Sequence, residues 1–142
     1  MFLRDTNVIS ELYRLQPNSE VRSFVLDKNP EELFVSDVRL AEIRFGIEAV
    51  TNVARREIMQ AWMLDDVRPF FGSRVLSADE DVWVLWKSLE HEAPPARHTF
   101  PQPDLVIAAI ALRRGLTVVT RDTEPFRRAN VPFVNPWKGA TS

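Results

Sequence analysis

Short apolar runs alternate with helix-patterned segments along this chain, and that alternation is what most limits its fold. Residues 2–5, 33–36, 74–76 and 116–120 read as strands, with 133–134 as a last short one. Residues 6–14 read as a helix that ends before Pro17. Residues 19–27 read as a second, with Val21, Phe24 and Val25 at i, i+3 and i+4. Two more helices are expected over 38–50 and 53–67. Ser77 is expected to cap the next helix, with Glu80 three residues on as in a capping box. Residues 104–114 form the most apolar helix, stopped by Gly115. Such βαβ alternation means an α/β fold, a parallel sheet covered by helices on both faces. At 142 residues the chain is expected to be a single domain over 1–142, large enough for a real core.

Four carboxylates stand inside or at the ends of these apolar elements. Asp5 ends the first strand, Glu42 lies within helix 38–50, Asp104 heads helix 104–114, and Asp122 follows strand 116–120. A buried acid is costly unless it is paired or binds a cation. In parallel sheets ligands bind beyond the carboxyl ends of the strands, at a switch point, and Asp5 and Asp122 stand at such ends. One acidic pocket is therefore expected, able to hold Mg²⁺ or Mn²⁺ and to cleave phosphodiesters. Each acid also has a plainer reading. Asp5 and Asp122 suit a helix cap or turn, and Asp104 is a dipole-favoured acid in a first turn. Glu42 shares a helical face with Val38, Phe45 and Gly46. It is expected to be either buried with an arginine or bound to a cation, and Arg39 and Arg44 are read as nearby but off the favoured i±3 and i±4 spacing.

Composition removes other chemistries. With no cysteine there are no disulfides, thiolate zinc sites, Fe–S clusters or cysteine nucleophiles. His91 and His98 form no metal spacing. No apolar run approaches the roughly 18 residues of a membrane-spanning helix, and a cytoplasmic protein without a membrane partner is expected. The net charge of −2 argues against nucleic-acid binding through overall positive charge. It leaves room for arginines on the rim of an acidic pocket. The pairs Arg55-Arg56, Arg113-Arg114 and Arg127-Arg128 read first as solvated helix faces. The Pro-rich stretch 93–103 is expected to be a loop.

The motifs Leu3-Arg-Asp-Thr-Asn-Val-Ile-Ser-Glu11, Val35-Ser-Asp-Val-Arg-Leu-Ala-Glu-Ile-Arg-Phe-Gly-Ile47, Phe71-Gly-Ser-Arg-Val-Leu76, Pro103-Asp-Leu-Val-Ile-Ala-Ala109, Thr120-Arg-Asp-Thr123 and Asn135-Pro-Trp137 occur in order along nearly the whole chain. Together they resemble the PIN domain of VapC/FitB-type toxins from bacterial toxin–antitoxin pairs. The resemblance implies a PIN-like fold and a divalent-metal-dependent ribonuclease. It places the family's acids at Asp5, Glu42, Asp104 and Asp122, and supporting polar residues at Thr6, Asn7 and Thr120. It also implies an antitoxin, a small DNA-binding protein whose tail occupies the acidic groove, and a homodimer. Trp62, Trp83, Trp86, Phe70 and Phe71 are more large aromatics than a small domain must bury in one core, and such residues are enriched at interfaces. Arg4 departs from the family, which keeps an apolar residue there.

The chemistry implied is hydrolysis of RNA by a metal-activated water. Without metal, clustered carboxylates repel one another and some of their pKa values rise. Two other classes compete. A phosphatase acting through Asp5 needs a second acid nearby and a positioned lysine. Only Lys28, Lys87 and Lys138 exist, none beside a strand end. A non-catalytic binding module would have no need of all four acids.

Overall fold

The computed structural model describes residues 1–92, 102–138 and 140–141. Five short strands, β1 (Phe2–Arg4), β2 (Leu33–Ser36), β3 (Val75–Leu76), β4 (Thr117–Val119) and β5 (Phe133–Asn135), pair in parallel in the order β3-β2-β1-β4-β5. A two-residue strand, β6 (Ala140–Thr141), closes the edge antiparallel to β5. The five parallel strands match the sequence reading within two residues at each end. No sequence signal announced β6.

Side chains alternate across the sheet, as pleating requires. Leu3, Val118 and Phe133 point to one core, and Leu33, Val35 and Val119 to the other. Helices cover both faces. On one lie α1 (Thr6–Tyr13), α2 (Ser19–Leu26), α3 (Asp37–Glu48), α4 (Val53–Trp62) and α5 (Arg68–Phe71). On the other lie α6 (Glu80–Glu92), α7 (Gln102–Arg114) and α8 (Glu124–Arg128). Helix α7 is buried continuously from Leu105 to Ala111. Its Ala108, Ala109 and Ala111 are fully buried and let the helix backbone press close to its neighbours. A larger side chain at any of them costs about 1–3 kcal/mol by overpacking. Gly115 ends the helix at φ +66°, with the Leu116 amide donating back to the Ala111 carbonyl at 2.9 Å.

Three local expectations need correction. Helix α6 starts at Glu80, and its N-terminal amide at Val82 donates to Asp79 Oδ1 at 3.0 Å, so Asp79 rather than Ser77 is the cap. Helix α7 begins at Gln102, because Pro103 fits a first turn, where its missing N–H costs nothing. The helix expected over 53–67 does not run evenly. It passes from α4 through a π turn, Met63–Val67, into α5. Pro69 lacks an N–H and would crowd the carbonyl four residues back, and the wider turn takes up that misfit. The Pro-rich loop expected over 93–103 lies, up to residue 101, outside the described residues, as does His98.

Arg4 does not lie at a sheet edge, and among the described residues it pairs with no acid. It sits on the central strand at 5% exposure, its guanidinium 5.6 Å and 5.2 Å from the ring centres of Phe70 and Phe71. Its Nε has no hydrogen-bond partner among the described residues. Burial, helped by repulsion from Arg74, lowers its pKa to about 10. The aromatic faces return part of the desolvation cost, but an unpaired buried cation remains a net liability. Arg4→Met keeps the packing on both rings without a charge to desolvate. It is expected to raise stability by about 1 kcal/mol, read as a higher urea midpoint at unchanged m.

Candidate active site

The chain's winding reverses between β1 and β4. On one side of β1 the sheet continues to β2 and β3, and on the other to β4 and β5. The crevice at such a reversal is where parallel sheets hold ligands. The register Arg4↔Val119 sets Asp5, which follows β1, beside Thr120, which follows β4.

Asp5 is 5% exposed and uses both carboxylate oxygens. Its Oδ1 accepts the Thr6 amide at 2.8 Å, so it is the N-cap of α1 as well as a site residue. Its Oδ2 accepts the Thr120 hydroxyl at 2.7 Å. That hydroxyl oxygen also accepts the Asp122 amide at 3.0 Å and, weakly, Asn7 Nδ2 at 3.4 Å. Asn7 Oδ1 takes the Arg121 amide at 3.3 Å. Thr120 and Asn7 thus tie the turn after β4 to the start of α1. The Thr6 hydroxyl is buried beside them with no partner among the described residues.

The residue at the centre is Arg39, which sequence reasoning passed over. It lies in the first turn of α3, its amide donating to the Ser36 Oγ cap at 3.1 Å. Its side chain is 6% exposed. It donates to Glu42 Oε1 from Nη1 at 2.7 Å and to Asp104 Oδ1 from Nη2 at 2.6 Å, while its Nε lies 2.6 Å from Asp5 Oδ1 as an ion pair without hydrogen-bond alignment. The signal was there to be read, since Arg39 precedes Glu42 by three residues, a favoured helical spacing. Burial opposes its charge. Attraction to Asp5 and hydrogen bonds to Asp104 and Glu42 more than offset this, and its pKa is raised.

The four acids differ in setting. Asp104, in the first turn of α7, is 14% exposed. Glu42 is 41% exposed, contrary to the buried position expected. The buried stripe of α3 runs through Leu40, Ile43 and Ile47, and Glu42 falls beside it on a flank where Phe45 is 76% exposed. Asp122 is exposed in the turn after β4. Its pKa is raised by partial burial and then by repulsion from Asp104 and Asp5, with Arg39 opposing. The crevice therefore stays negative even with a guanidinium inside it. Among the described residues no three acidic or imidazole side chains stand close enough together to hold one metal ion in this arrangement.

The other basic groups lie elsewhere. Lys28 packs over the rings of Phe2 and Phe24, and Lys87 pairs with Glu90. Arg113 pairs with Asp81, and Arg127 and Arg128 pair with Glu124, as solvated helix faces do. Arg121 is exposed next to Asp122, with its guanidinium 5.3 Å from the Trp137 ring centre.

The family model described as PIN domain matches residues 2–132. The chain belongs to the PIN-domain family. Within it the relatives are of the VapC/FitB type. The domain is 36% identical over 140 residues to VapC ribonuclease Y4jK of Sinorhizobium fredii, a match covering 99% of this chain and 100% of the relative. It is 34% identical over 137 residues to Toxin FitB of Neisseria gonorrhoeae, covering 96% and 99%. The crystal structure of FitAcB from the same organism superposes with a TM-score of 0.90 at 34% identity, over 96% of this chain and 99% of that one. The PIN-like α/β fold expected from the motifs is thus the fold of the molecule.

The raised pKa of Asp122 carries a stability consequence. A carboxyl whose folded pKa is raised contributes stability that is complete below its unfolded pKa and is lost as pH rises through the folded value. At neutral pH the ionised Asp122 is therefore a burden on this PIN domain. Asp122→Asn is expected to raise the melting temperature at pH 7, and the difference is expected to vanish toward pH 3. Melting curves across that range check it.

Proposed function

We propose that this PIN domain is a divalent-metal-dependent endoribonuclease, the toxin of a type II toxin–antitoxin pair. The observation that carries the reading is the convergence of Asp5, Glu42 and Asp104 on a single positive group at the switch point. Asp122 is electrostatically coupled to the same cluster. The likeness to a VapC ribonuclease and to the toxin FitB supports the same activity class.

The donor set fits Mg²⁺ or Mn²⁺. It is made of carboxylate oxygens, the hard ligands those ions prefer. The repulsion that Asp104 and Asp5 add to partial burial at Asp122, and the buried Thr6 hydroxyl without a partner among the described residues, suit a place short of a cation and a polar partner. Asp5, Asp104, Glu42 and Asp122 would hold the ion. When bound, it acidifies a water for attack on phosphorus and stabilises charge on the phosphate oxygens. The chain does the rest. Thr120 fixes the rotamer of Asp5, and Asn7 pins the turn that carries Asp122. The rigid, buried α7 holds Asp104 in place. Arg121, stacked on Trp137 at the rim, offers a guanidinium to a neighbouring RNA phosphate.

An acidic groove of this kind suits an antitoxin tail bearing arginine, from a small DNA-binding partner. A homodimer and a cytoplasmic setting complete the reading. Trp83 at 45% exposure and Val84 at 62% on α6 offer an apolar contact, whereas Phe71 is core at 2%. Among the described residues no helix is long and apolar enough to cross a membrane.

Asp104→Asn is expected to remove cleavage of single-stranded RNA while the fold persists, since losing one acid relieves repulsion and opens no cavity. Cleavage at the wild-type rate would reduce Asp104 to a helix-head residue. Saturating Mn²⁺ is expected to raise the melting temperature of the wild type and not of Asp5→Asn, by binding the folded state alone. Light scattering over a dilution series is expected to find a dimer at about ten micromolar.

A further inference from the structure

The three short contacts of Arg39 occupy one oxygen each of Asp5, Asp104 and Glu42. Asp5 Oδ1 accepts the Thr6 amide and forms an ion pair, without hydrogen-bond alignment, with Arg39 Nε, and Asp5 Oδ2 is held by the Thr120 hydroxyl. Asp104 Oδ1 and Glu42 Oε1 each face a guanidinium nitrogen at 2.6 Å and 2.7 Å. Mg²⁺ takes oxygen ligands at about 2.0–2.1 Å. The guanidinium stands among these three carboxylates, and a second cation brought in beside Arg39 is repelled by it.

Resting on the metal-site reading above, we infer that Arg39 is a built-in competitor of the metal. It neutralises the acids in the metal-free protein, and the ion enters only as the guanidinium leaves. The exit route is open on one side. Arg39 stands in the first turn of α3, and Glu42, the partner nearest solvent, is 41% exposed, so the long side chain can swing outward past it. The metal-free domain is thereby kept folded and closed to catalysis. Its apparent affinity for metal falls below the intrinsic affinity of the carboxylates by the fraction of time the site is free.

The test is calorimetric titration of the full chain with MnCl₂, for wild type, Arg39→Gln, Arg39→Lys and Asp5→Asn, beside metal-free melting curves. Arg39→Gln is expected to bind Mn²⁺ about tenfold or more tighter than wild type. Its metal-free melting temperature is expected to be lower, because it leaves the acids uncompensated, and saturating Mn²⁺ closes that gap. Arg39→Lys, which keeps one charge but cannot span three carboxylates, is expected to fall between, and it carries the test should the glutamine variant not fold. In nitrogen-15 spectra of the wild type, the Arg39 Nη–H signals are expected to be protected from exchange without metal and lost on adding Mg²⁺. If the Arg39 variants bind Mn²⁺ no more tightly than wild type while Asp5→Asn loses binding, the metal site stands and the competitor role falls. If no form of the protein binds Mn²⁺, the metal-site reading fails and takes the competitor role with it.

Discussion

The parallel pairing of β1 with β4 is the contact on which the acidic crevice depends. It joins the first residues of the chain to residues near its end, in the register Phe2↔Thr117, Leu3↔Val118 and Arg4↔Val119. A slip of one residue would turn Val118 and Val119 to the wrong cores and separate Thr120 from Asp5. The cores on both faces therefore fix the register, and the register fixes the hydroxyl that holds the carboxylate. Fold stability and site geometry are set by the same side chains.

Charge is the second constraint. Several acids at one crevice oppose folding unless a cation stands among them. The chain supplies that cation itself, from the helix that also supplies Glu42. The plain and the chemical readings of these residues turn out to be compatible. Asp5 caps α1 and lines the crevice, and Asp104 both favours the α7 dipole and ends an ion-pair network. An acid earns a place at a helix start for local reasons, and the winding of the sheet then collects those starts at one end.

Much of this was legible from the residues alone. The short continuous apolar runs marked the parallel strands, because a strand in a sheet covered on both faces has little choice of character. Gly115 marked the end of α7, since its positive φ is one that other residues resist. What escaped detection depended on tertiary context. β6 is two residues long and exists through its partner β5. The π turn answers a misfit at Pro69. The exposure of Glu42 follows from which stripe of α3 meets the sheet, a choice that a helix with apolar residues on several sides does not announce. Arg39 was missed for a different reason. Its spacing to Glu42 was readable, but its reach to Asp5 and Asp104 required knowing that three distant segments meet.

The hydrogen bond from Thr120 to Asp5 spans 115 residues. A contact so remote in sequence forms late, because the intervening chain must be present and ordered first. A nascent chain that has not yet released β4 from the ribosome has Asp5 at the head of α1 but lacks the hydroxyl that holds its second oxygen, and α7 with Asp104 emerges only shortly before. The acidic crevice is thus completed only once residues 104–122 have left the ribosome. A partner able to recognise it would have no target on a shorter nascent chain.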